Sequence, residues 1–409
     1  MSKLLGLTLG VLTAVGGFVD IGDIVASGTI GARYGLSLLW VLVVGVVCIC
    51  AYAEMSGRVV AASGRPVFDI VRERLGPRAA LLNLVGSFLV TLLTLTAQIG
   101  GIALVVELAG GISHLVWVMP IAIGLWLIVW RVGFEKMEQV FGLAGLAVLV
   151  FAVSVWWLDP DWSALADQAR SLSPPSGEPV PTYLFYAVAL FAAAMTPYEV
   201  FFFSSGGVEE KWTAKDLRGQ RINVLLGFPL GGMLSLGIMA TAAVVLLPAG
   251  LDVQSLSQVV LPVALAFGVA GVAVALFGFF AVTVGAALET GLSCGYAVAQ
   301  YFGWSWGKSI RPVKAARFHL VVGLSILVAA LVVQLGIDPV KITEYSLIFS
   351  ALALPLTYLP VLVVANDRRY LGEHINGRLA NTVGLAGLFV VLLAAVSAIP
   401  LMIMTGMGA

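Results

Sequence analysis

The chain has 409 residues, 60% of them hydrophobic and only 11% charged, and its Lys and Arg together equal its Asp and Glu, so the formal net charge is zero. An ordinary soluble domain is nearer half apolar and about a quarter charged. The composition therefore excludes a soluble enzyme, gives no reason to expect a nucleic-acid partner, and makes the lipid bilayer the expected surroundings.

Crossing a bilayer as a helix takes about 20 consecutive, mostly apolar residues. Eleven stretches of that kind lie between charges, Gly or Pro, at 5–31, 35–57, 79–108, 113–130, 137–158, 182–205, 222–248, 268–301, 318–336, 342–365 and 380–404. The expected fold is thus an all-α integral membrane protein of about eleven transmembrane helices, with residues 1–409 as one transmembrane domain. The first apolar stretch has no separate basic region or small-residue cleavage site before it, and is expected to stay as an anchor. Cys48, Cys50 and Cys294 fall in apolar stretches and are expected to remain free thiols.

Basic residues set the orientation. With the N-terminus in the cytoplasm, the inside loops carry Lys3, the arginines between 58 and 78, Arg131 and Lys136, then the clusters 211–221 and 308–317 and finally Arg368, Arg369 and Arg378. Only Arg33, Arg170 and Lys341 remain outside. One missed or invented helix would scramble this split, so helix count, inside N-terminus and outside C-terminus support one another. The Pro-rich connection Asp159 to Pro181 is predicted outside, and Arg65 to Arg78 is predicted as a short amphipathic helix at the cytoplasmic surface, with Val67, Ile70, Val71 and Leu75 on its apolar face.

Two stretches break the rules of a continuous helix. The first carries Gly16, Gly17, Asp20, Gly22 and Asp23 at membrane mid-depth, and the sixth carries Ala-Met-Thr-Pro-Tyr-Glu at 194–199. Pro197 removes a helix hydrogen bond and Gly lowers the cost of leaving the helix, so both are predicted to unwind. Unwound backbone is tolerated at that depth only where it is buried or lines a polar cavity, and paired broken helices mark the substrate site of a secondary transporter. Breaks in helices one and six fit an inverted repeat of five helices plus five, with repeat one over about 5–158, repeat two over about 182–365 and an extra helix at 380–404. Glu199 and Glu289 also lie at membrane depth, which is costly unless each faces a cavity or is neutral. Glu54 sits near the cytoplasmic end of the second span, where Arg58 is one turn away.

The run Asp20-Ile-Gly-Asp23-Ile resembles the Asp-Pro-Gly-Asn motif in the first helix of the Nramp (natural-resistance-associated macrophage protein) family of divalent-metal transporters, and GARYGLSLLWVL after it resembles the start of that family's second helix. LALPLTYLPVLVVANDRRYLGE, from Leu352 to Glu373, is similar to the family's tenth-helix pattern, and Thr196-Pro197-Tyr198-Glu199 stands where its sixth helix has Met-Pro-His. The resemblance implies a leucine-transporter-like fold and a divalent cation as substrate, with no resident cofactor. It also implies that Asp20, Asp23, Thr196 and the Ala193 carbonyl hold the metal, Glu199 lying beside them. Thr196 replaces the family's Met and Asp23 its Asn, so the implied ligand set is all oxygen, suited to a hard ion such as Mg or Mn. Leu95 and Gln98 replace the acids expected on the third helix and Tyr198 replaces a His, so Tyr198, Gln98, Glu289 and Glu54 are the candidates for gating or coupling.

The leading expectation is a monomeric carrier in the cell membrane that moves a divalent cation by alternating access. One alternative is a carrier of a small organic cation held by Asp20, Asp23 and Glu199, with Tyr198, Phe201, Phe202 and Phe203 as aromatic faces; a more distant one is a membrane receptor. No HExxH metallopeptidase motif and no P-loop occurs.

Overall fold

A computed structural model describes residues 18–175 and 177–408, with Glu135 described by its backbone only. It is helical throughout, and ten of the described helical segments are long and apolar enough to cross a membrane. The first expected span contributes α1, Ile21–Tyr34; its residues 5–17, with Gly16 and Gly17, lie outside the described residues. The spans that follow are α2 (Leu39–Ser63), α4 (Pro77–Gly110), α5 (His114–Arg131) and the pair α6 (Phe134–Gly145) and α7 (Leu149–Trp157). The second half has α9 (Val180–Ala194) with α10 (Glu199–Glu209), then α11 (Leu217–Ala249), α12 (Leu256–Phe302), α13 (Ala316–Gln334), α14 (Pro339–Ala365) and α16 (Arg378–Thr405).

Four shorter features decorate these spans. The predicted surface helix is α3, Val67–Leu75. Its buried face is Val67, Phe68, Ile70 and Val71, whereas Leu75 at its end is exposed. The Pro-rich connection contains an unpredicted helix, α8 (Trp162–Arg170), started by Asp161, whose carboxylate accepts from the Ser163 and Ala164 amides. Helix α12 begins twelve residues before the expected span and bends at Gly268, where φ is 60°, so the apolar run before the bend is helix as well. A single turn, α15 (Arg368–Leu371), follows α14.

The basic connections meet at one end of the bundle. Arg72 donates to the Tyr301 carbonyl, Arg74 pairs with Asp367 at 2.6 Å, and Glu54 takes Arg58 at 2.9 Å and Arg221 at 2.7 Å. At the other end Arg33 pairs with Glu178 at 3.0 Å and donates to the Gly408 carbonyl at 2.7 Å, which puts the chain's last turn there. Small residues set the closest helix approaches, as is usual where lipid removes the water-driven attraction between helices. A Cβ on Gly31 of α1 would stand 2.1 Å from the Met239 carbonyl oxygen of α11, and one on Gly45 of α2 would stand 2.6 Å from the Ala194 Cβ of α9.

The buried side chains form two main apolar clusters. One joins α1, α2, α9, α11, α14 and α16 and takes in some buried side chains of α4 and of α12, and the other joins α5 and α13 with further buried side chains of α4 and α12. Tyr198 and Phe202, from the sixth expected span, belong to the second cluster while Ala193 and Val200 belong to the first. The break in that span therefore lies on the seam between the two bodies. Cys48, Cys50 and Cys294 are buried free thiols.

Candidate substrate site

Both expected breaks are present. Asp20 has extended backbone (φ −131°, ψ −175°) and caps α1, its Oδ1 accepting from the Asp23 amide at 3.0 Å. Between α9 and α10 the chain is non-helical at 195–198, with Met195 at φ −125°, ψ 51°. Pro197 explains the gap: it has no N–H to give to Ala193, and its ring crowds the preceding turn. The last carbonyls of α9, Ala193 among them, have no helical donors, whereas the first amides of α1 are already taken, Ile21 N–H by Gln98 and Asp23 N–H by Asp20. A pair of half-helix ends thus supplies oxygen ligands from one side and a positive dipole end from the other.

The side chains gathered there are acidic and buried. Asp20 is 2%, Asp23 0% and Glu199 6% exposed, and Asp20, Asp23 and Glu199 lie within electrostatic range of one another. None of the ion pairs among the described residues involves these three or Glu289. Burying uncompensated carboxylates is among the costliest things a fold can do, so the cluster requires a cation or protons.

Hydrogen bonds fix the acids without exhausting them. The Gln98 amide of α4 donates to Asp20 Oδ2 at 2.8 Å and accepts from the Ile21 N–H at 3.3 Å, which locks the cap of α1 to the other helix cluster. Ser235 of α11 donates to Asp23 Oδ1 at 3.5 Å, and Thr196 Oγ1 donates to Glu199 Oε2 at 3.2 Å. The Tyr358 hydroxyl of α14 reaches the Thr196 carbonyl at 3.2 Å. Among the expected site residues, Asp23 Oδ2 and the Tyr198 hydroxyl are buried and left without a hydrogen-bond partner among the described residues. No three His, Cys, Asp or Glu side chains among the described residues form a ready-made metal cage, so an ion here would draw on main-chain and hydroxyl oxygens too.

The remaining candidates separate. Gln98, Tyr198, Thr196 and Ala193 stand at the two breaks, and Met195, beside Thr196, is fully buried in the apolar core. Glu289 is 4% exposed on α12 and within electrostatic range of Glu199, Asp20 and Glu138. Glu54 is not at the site: its ion pairs with Arg58 and Arg221 place it at the basic end. The aromatic faces of the organic-cation alternative are a correction. Phe201 packs on Phe68 at 5.3 Å, Phe202 on Phe134 at 5.7 Å and Phe203 on Trp212 at 5.1 Å, which leaves Tyr198 as the one aromatic of the four at the break.

Sequence reasoning missed Ser235 and Tyr358. Tyr358 had a signal, since it lies between Pro355 and Pro360 in the tenth-helix pattern; Ser235 had none beyond being a hydroxyl in an apolar run. It also passed over Gly291-Leu-Ser-Cys-Gly295, which spells the Gly-x-Ser-x-Gly motif of serine hydrolases. That motif works on a strand-to-helix elbow, whereas here it is mid-helix in α12 with Ser293 buried.

The profile of the family described as natural resistance-associated macrophage protein-like matches residues 10–400. Among individual relatives, the divalent metal cation transporter MntH of Pectobacterium carotovorum subsp. carotovorum (strain PC1) is 25% identical over 381 residues, covering 90% of this chain and 87% of its own length. MntH of Klebsiella pneumoniae subsp. pneumoniae is 25% identical over 388 residues, with coverage of 90% and 88%. In structure, the Eremococcus coleocola manganese transporter superposes with a TM-score of 0.77 at 16% identity, over 98% of this chain and 89% of that one. A Na+-coupled sialic acid symporter superposes at 0.60 and 15% identity, over 96% and 89%. The fold is therefore the leucine-transporter-like one, with its inverted repeat, and the molecule is a multi-pass membrane transporter and not an enzyme. The chain belongs to the Nramp family.

Proposed function

We propose that this protein carries a hard divalent cation, of the Mg or Mn type, across the cell membrane by alternating access, with Asp20, Asp23, Thr196 and the Ala193 carbonyl as the ion's ligands. The observation that carries the proposal is the unpartnered, fully buried Asp23 Oδ2 beside two further acids with no cationic side chain among their partners. The transport of divalent metal or manganese named for the relatives supports the substrate class. The oxygen-only ligand set, with Met195 turned into the core, supports a hard ion over a soft one.

Glu199 and Glu289 serve as coupling carboxylates in this reading. They replace the third-helix acids that Leu95 and Gln98 displace, while Gln98 positions Asp20 and Tyr198 gates the gap. Repeat one runs over about 5–158 and repeat two over about 182–365. Alternating access moves the α1, α2, α9 and α11 body against the α4, α5, α12 and α13 body along the seam at 195–198. The basic end faces the cytoplasm, as the Lys and Arg distribution favours, so the C-terminus lies outside.

The test is isothermal titration of purified protein with Mg, Mn, Ca and a panel of small amines, together with metal-dependent uptake into liposomes. Binding and uptake of Mg or Mn, without amine binding, is the expected result. No divalent-ion binding, or binding of an amine in its place, overturns it. Single-cysteine labelling at 72 and 215 from the two faces of oriented vesicles tests the topology, both positions being expected inside.

A further inference from the structure

Away from the site, α5 and α13 lie side by side at the periphery of the bundle, and only 22% of the apolar window of α5 is buried. Between them is a groove of about 620 Å3, within the range of roughly 300–1,000 Å3 usual for pockets that bury a small ligand. Ile123, Trp126 and Trp130 form one wall and Leu320, Leu324 and Leu327 the other, all exposed to the surroundings of the bundle. In a soluble protein such a surface would be an adhesion risk; here it faces acyl chains.

Pro312, Val313 and His319 line one end of the groove, and that end is the basic one. The Arg131 guanidinium lies 5.1 Å from the centre of the Trp130 ring, one of the groove walls. Arg311 and Lys314 flank the lining residues Pro312 and Val313, and Arg317 sits 5.2 Å from the Trp304 ring. Arg311, Lys314 and Arg317 are exposed, and no carboxylate pairs with any of them among the described residues. His319 Nε2 lines the same end, buried and without a hydrogen-bond partner.

We infer that this groove binds an anionic phospholipid, its acyl chain between α5 and α13 and its phosphate held by Arg131, Lys314 and Arg317. The apolar walls call for a hydrocarbon chain, and the unneutralised cations at the membrane surface call for a negative head group. His319 Nε2 supplies a polar contact to the ester or phosphate region. A zwitterionic lipid fits less well, because its own ammonium group would face the arginines.

The test uses the full chain, stripped of lipid in non-ionic detergent, with thermal unfolding and native mass spectrometry as readouts. Phosphatidylglycerol is expected to raise the unfolding midpoint and to remain bound, whereas phosphatidylcholine with the same chains and soluble glycerol phosphate do neither. Each cation near an anionic head group contributes to affinity, so R131Q/K314Q/R317Q should bind phosphatidylglycerol on the order of 100-fold more weakly. The control K211Q/K215Q/R218Q removes the same charge from the same end, away from the groove, and should bind as the wild type does. Gly323→Leu fills the groove from a position whose nearest neighbour is Trp126 Nε1 at 3.5 Å, and should lose the lipid while melting normally without it. Equal effects of the two phospholipids, reproduction by glycerol phosphate, or an equal loss in the control triple variant overturns the inference. Should Gly323→Leu fail to fold, the two triple variants decide.

Discussion

Gln98 is the residue whose removal tests the site most sharply, because one side chain there satisfies two buried groups. Its amide nitrogen donates to Asp20 Oδ2 and its oxygen accepts from the Ile21 N–H, the first amide of α1. Gln98→Leu keeps the volume and removes both bonds. A hydrogen bond to a charged group contributes about 1.5–3 kcal/mol, and a buried N–H left unsatisfied costs about 1–3 kcal/mol, so the variant should lose roughly 2.5–6 kcal/mol of stability. Asp20 also loses the brace that orients it, and a tenfold weaker cation affinity would remove about 1.4 kcal/mol of ligand-induced stabilisation. A thiol-reactive dye reads the unfolding directly, because Cys48, Cys50 and Cys294 are buried until the chain opens. The expected record is a lower midpoint and a smaller rise on adding Mg or Mn. A Gln98→Leu protein that melts with the wild type and keeps its full cation response would refute the claim that this amide holds the site together.

Asp20→Ala should abolish divalent-ion binding by titration calorimetry, since a mid-membrane divalent ion cannot lose an anionic ligand and stay compensated. Asp23→Asn should weaken it by at least the 10–100-fold, roughly, that loss of an outer-shell partner costs. Thr196→Met adds a thioether and frees Glu199 from its 3.2 Å hydrogen bond; competition titrations should show Mn and Cd gaining on Mg. In the loop before α13, burial pushes the Lys308 ammonium down to about 8 from the usual 10.5, against the opposing pull of Glu138 and Glu209. Between those two pH values the unfolded chain holds the proton that the folded chain has lost, so this residue makes stability rise as pH goes from about 8 towards 10.5. Lys308→Met should raise the midpoint at pH 7 and flatten that rise in thermal melts across the range.

The breaks in the first and sixth spans were legible because their causes are local: Pro197 cannot donate, and two Asp and a Glu do not sit in lipid without a reason. Asp20, Asp23 and Glu199 stood out as acids at membrane depth on the same ground, whereas Thr196 was singled out only by the family resemblance. Glu54 was legible as a surface acid because its partner, Arg58, is one helical turn away. The Phe201–Phe203 run was not, because whether a ring meets lipid, an ion or another ring depends on what packs beside it, and Phe68, Phe134 and Trp212 come from distant parts of the chain. Trp162–Arg170 escaped because it is short and partly polar, and the first part of Leu256–Phe302 because its apolar run of twelve residues before Gly268 is too short to cross a membrane by itself.

By itself, then, the sequence determined the solvent, ten of the eleven crossings it predicts and the places where the backbone leaves the helix, since apolar length, charge and Pro act on their own neighbourhood. Only the tertiary structure decided that Gln98 of the third span braces Asp20 of the first, that Ser235 and Tyr358 complete the surroundings of the gap, and that Asp23 Oδ2 is left unpartnered. Those facts join residues between 78 and 212 positions apart, and a hydrogen bond is fixed by distance in space, which helix packing sets and the order of residues along the chain does not.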